Sequence, residues 1–78
     1  MKKELGEIVE ANEIRVANYK KEEEILNSKI QFCEQYNMSE EKRIALIKWE
    51  VLSKILYRYE AMTKELRELL NSFNSNVV

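Results

Sequence analysis

Apolar residues along this chain recur every three or four positions, and strict apolar–polar alternation is nowhere sustained. That is the period of a helix whose one side is covered, and it leaves no place for a strand. In the first half, Leu5, Ile8, Val9, Val16, Tyr19, Leu26, Ile30 and Cys33 fall on one side when each residue is turned by about 100°. Asn12 and Glu23 interrupt that stripe. In the second half the main stripe reads Ile44, Val51, Leu52, Ile55, Tyr59, Met62, Leu66, Leu69, Leu70 and Phe73. The spacing predicts one helix from about residue 3 to 36 and another from about 40 to 71.

Between them stands Asn37-Met38-Ser39, and the chain has no proline to break either helix elsewhere. Asparagine tolerates the left-handed conformation that ends a helix, and serine is a good N-cap. Glu40 and Glu41 then fall in the first turn of the second helix, where the dipole favours negative charge. Ser28-Lys29-Ile30-Gln31 has the form of a capping box, but Leu26 and Ile30 carry the stripe across it in phase, which argues for one helix. Gly6 marks a weak first turn, and residues 72–78 read as a loose tail. A connection this short makes the helices antiparallel neighbours. The expected fold is all-α: a single domain spanning 1–78, an antiparallel hairpin of two long helices pairing into a dimeric four-helix bundle.

The pairing follows from a surplus of apolar residues. Leu46, Trp49, Ser53 and Leu56 form a second 3-4-3 row on the second helix, with Tyr57 at its edge. The first helix carries a thinner one through Ala11, Ile14, Ile25, Phe32 and Tyr36. Burying one large apolar side chain is worth about 1.5–3 kcal/mol, so leaving such rows wet is costly in a small domain. Aromatic residues with arginine nearby suit an interface centre. The expected contact site is therefore Leu46, Trp49, Leu56, Tyr57 and Arg58, with Ile14, Ile25 and Phe32 as a second face. The partner is expected to be a second copy of the chain, a larger protein, or both.

Composition narrows the chemistry. The 78 residues carry 13 basic and 14 acidic side chains, a net charge of −1, and no histidine. Aspartate is also absent, so the common zinc and calcium ligand sets are missing, and with them the usual general base at neutral pH. One cysteine, Cys33, cannot close a disulfide within the chain, which fits a reducing, cytoplasmic setting. No apolar run is long enough to span a bilayer. We expect no catalytic residues, no metal, no cofactor and no membrane.

Glu4, Glu7, Glu10 and Glu13, and again Glu65 and Glu68, stand at i, i+3 spacing, the pattern of a glutamate-held magnesium hydrolase; their mixture with lysines reads instead as a solvated face. Arg43, Lys54 and Arg58 give a small basic group on the second helix, and dimeric helical hairpins can bind structured RNA through such a group. Near-zero net charge and the nearby Glu40, Glu50 and Glu65 disfavour it. The sequence thus points to a non-catalytic interaction protein: a small adaptor, antagonist or inhibitor of a larger protein, of a kind that phages and plasmids carry.

Overall fold

The computed structural model describes residues 2–75 and is a hairpin of two α-helices, α1 (Lys2–Gln35) and α2 (Ser39–Ser75). They lie side by side in a rod measuring 61 × 15 × 14 Å. Neither helix is broken: the Ser28-Lys29-Ile30-Gln31 stretch runs on as helix, and Gly6 lies inside α1.

The turn uses asparagine as its sequence suggests. Asn37 has φ of 56°, and the Met38 amide donates to the Cys33 carbonyl at 2.9 Å, the long bond of a Schellman ending. Ser39 departs from expectation. The Met38 carbonyl accepts from the Lys42 amide at 2.9 Å, so Met38 holds the cap position and Ser39 is already helical. At the other end α2 runs on through Ser75, whose hydroxyl donates to the Asn71 carbonyl at 2.9 Å, so residues 72–75 of the expected tail are helical. Residues 76–78 lie outside the described residues.

The seam between the helices follows an unbroken 4-3 spacing. On α1 it is Leu5, Val9, Asn12, Val16, Tyr19, Glu23, Leu26, Ile30 and Cys33, each buried or half-buried. On α2 it is Lys42, Ala45, Trp49, Leu52, Leu56, Tyr59, Thr63, Leu66 and Leu70, preceded in register by the cap residue Met38, again all at least half-buried. A seven-residue repeat of this kind is the register of a coiled coil. The stripe read on α1 is this seam, apart from Ile8, which is 50% exposed.

On α2 the assignment of faces is corrected. Leu56 and Trp49, placed on the outer row by sequence, belong to the seam, with Leu56 buried and Trp49 half-buried. Ile44, Val51, Ile55, Met62 and Leu69, placed on the inner stripe, are exposed. The reason is the width of the apolar arc. Two adjoining rows on α2 satisfy helical spacing equally well, and only the partner helix decides which of them turns inward.

Candidate functional site: two unlike edges of the hairpin

The long edges of the rod differ in chemistry. One is closed by polar bridges between the helices. The Arg67 guanidinium donates to Glu13, Lys20 lies 3.8 Å from Glu60, and Lys42 lies 3.4 Å from Glu34. The Ser53 hydroxyl donates to Glu23 at 2.9 Å, which accounts for a glutamate within the seam. Arg67 is held above its ordinary pKa, first by that hydrogen bond to Glu13 and then by the charges of Glu13 and Glu10. A raised basic group supports the fold below its unfolded pKa and loses that support only as pH climbs through the folded value. For arginine this lies far above neutrality, so Arg67 contributes no pH dependence near pH 7.

The opposite edge, with the outer surface beside it, carries most of the exposed apolar residues, interspersed with Arg15, Glu22, Lys29, Lys48, Arg58 and Glu65. From α1 it takes Ile8, Ile25, Phe32 and Tyr36, and from α2 Ile44, Val51, Ile55, Met62 and Leu69, all between 38% and 67% exposed. In an antiparallel coiled coil the positions flanking the seam on one side of each helix face each other, so these two rows adjoin and form one continuous face. The helical rotation assigns them there, and the aromatic contacts agree. Tyr19 and Tyr59 meet at 5.8 Å between ring centroids. Arg15 caps that pair, with its guanidinium 5.1 Å from the Tyr59 ring centre and a hydrogen bond to the Tyr59 hydroxyl at 3.2 Å. Phe32 and Tyr36 meet at 4.6 Å between ring centroids near the turn, their planes tilted by 41°. We call this surface the open face.

The residues singled out by sequence are dispersed. Trp49, Tyr57 and Arg58 come together around a shallow concavity of about 340 Å³. Leu56 is not among them, being buried in the seam, and Leu46 lies on the ion-paired side at 42% exposed. Ile25 and Phe32 join the open face, whereas Ile14, 63% exposed, falls on the back of α1. Arg43 and Lys54 lie on the back of α2, paired with Glu40 at 2.7 Å and Glu50 at 3.7 Å, so Arg43, Lys54 and Arg58 do not make a bare basic patch. Cys33 is buried in the seam near the turn.

What the sequence reading missed is the exposure of Ile44, Val51, Ile55, Met62 and Leu69 on a face of their own. The signal was present as their own 4-3 repeat, offset by one position from the seam. Among the described residues no group of three or more potential ligands could hold a metal ion, and no helix is long and apolar enough to cross a membrane. Comparison with protein families, characterised proteins and solved structures finds no match for this chain.

Proposed function

We propose that this protein is a non-catalytic interaction module that works through the open face, as a small adaptor, antagonist or inhibitor of protein assembly. One observation carries the reading: most of the exposed large apolar side chains adjoin on one edge and its flank, with Ile14, Leu46, Ile47 and Tyr57 lying elsewhere, while the cross-helix ion pairs lie on the opposite edge. Scattered exposed hydrophobes are ordinary on a protein surface, but a continuous row with aromatic residues marks a surface that another protein covers. Two helices joined by a short turn present such a row rigidly, which lowers the ordering cost of binding.

Site-specific photo-crosslinking in cells tests the reading. A benzoylphenylalanine at Val51 or Leu69 is expected to form covalent adducts with polypeptide, and one at Glu24 or Lys54, on the back of the helices, is expected to form few. Equal yields from both sides would sink the proposal. Adducts with RNA concentrated at Arg43 and Lys54 would favour nucleic-acid binding instead.

A further inference from the structure

The exposed row of α2 is self-complementary in the antiparallel sense. From one end to the other it reads Ile44, Lys48, Val51, Ile55, Arg58, Met62, Glu65, Leu69. Taken in pairs equidistant from the midpoint between Leu56 and Tyr57, it matches Ile44 with Leu69, Lys48 with Glu65, and Val51 with Met62. The central pair is Ile55 with Arg58, whose aliphatic stem can lie over an isoleucine. We infer that the open face is covered by a second copy of the chain, with α2 running antiparallel to its own equivalent. This inference rests on the reading of that face as a contact surface and names its occupant.

Three further observations support it. Ile55, Arg58, Tyr59 and Met62 stand at i, i+3, i+4 and i+7, the corners of a hole in knobs-into-holes packing. With Tyr19 they border an open cavity of about 460 Å³ at the centre of the face. In the antiparallel arrangement the knob aimed at that hole is Ile55 of the second copy, and the relation is reciprocal.

The charges make the second point. Among the described residues, Lys48, Arg58 and Glu65 form no ion pair within the chain, whereas those along the other edge do. Antiparallel pairing sets Lys48 against Glu65 twice. Parallel pairing, with both turns at one end, would instead bring Lys29 and Lys48 of both copies to one level. Like charges so placed are unfavourable.

Size is the third. Pairing about the middle of α2 overlaps the two rods along their full 61 Å, and the outline of a rod 15 Å wide is about 900 Å², comparable to the roughly 800 Å² that each partner contributes to a standard stable interface.

Sedimentation equilibrium on the purified full chain tests the inference. The wild-type chain is expected to be dimeric. Lys48→Glu and Glu65→Lys are each expected to raise the dimer dissociation constant at least about tenfold, and the double reversal to return it to within about threefold of wild type. Both positions are exposed, so circular dichroism of all three variants is expected to show unaltered helicity.

Orientation is read by oxidative cross-linking. Ile55→Cys lies beside its own equivalent and is expected to close a disulfide between copies. Leu69→Cys, on the order of 40 Å from its equivalent, is expected to stay reduced. A solitary wild-type chain, a double reversal no tighter than the single changes, or cross-linking at Leu69→Cys but not Ile55→Cys would each overturn the inference. A solitary chain that still forms open-face photo-adducts with another polypeptide would sink self-pairing and leave the contact reading standing. A solitary chain without face-specific adducts would sink both.

Discussion

Single residues in the seam explain why an irregular sequence still makes a regular hairpin. Glu23 interrupts an otherwise apolar stripe, yet Ser53 donates to it across the interface, so the carboxylate keeps a partner while half-buried. Thr63 is the opposite case. It is only 7% exposed, and its hydroxyl has no hydrogen-bond partner among the described residues. Leaving a buried hydroxyl unpaired costs about 1–3 kcal/mol. Thr63→Val keeps the β-branch and removes that group, so it is expected to stabilise the hairpin by about 1 kcal/mol in urea unfolding. A loss of stability would show that the hydroxyl is satisfied. The Trp49 indole N–H is buried and unpartnered in the same way. Trp49 therefore serves the seam as much as any outer surface, and truncating it to alanine is expected to cost helicity as well as binding.

At the level of the helices, turn chemistry and helix length were largely legible. Asn37 and the absence of proline place the reversal, because a left-handed residue is needed there and few residue types accept it. The helix ends were less legible. Ser39 is a strong cap by type, but the chain enters α2 one residue earlier, since the Met38 carbonyl is already aligned with the Lys42 amide. Gly6 was read as a weak point, and it lies within continuous helix with nothing within 4 Å of where a β-carbon would stand. Gly6→Ala therefore meets no clash and removes backbone freedom from the unfolded chain. It is expected to raise stability by about 0.5–1 kcal/mol, seen as a higher melting midpoint at fixed protein concentration. An unchanged midpoint would mean that the first turns of α1 are already frayed in the folded chain.

For the whole molecule, shape is the controlling fact. Two long helices touching along one line form a rod, and a rod this thin has no interior beyond its seam. Each helix can hide one stripe, and α2 carries two. The second stripe is the source of both proposals made above. If a second copy covers it, folding and association are linked by mass action, and the melting midpoint is expected to rise by several degrees across a hundredfold increase in concentration. A midpoint independent of concentration would mean that the hairpin is stable alone.

The order of apolar and polar residues determined that this chain is helical, where it turns, and that it holds more apolar surface than one hairpin can bury. These follow from local geometry, because helical period and turn preference act over a few residues. Which of the two α2 stripes turned inward was decided only in the folded structure. Leu56 and Val51 are equally good helical apolar residues, and nothing in their local spacing ranks them. The observed rotation sets Leu56 against the α1 seam and joins Glu13, Lys20, Glu23 and Glu34 to partners on α2. An interface between two helices is a property of both, and it cannot be read from either alone.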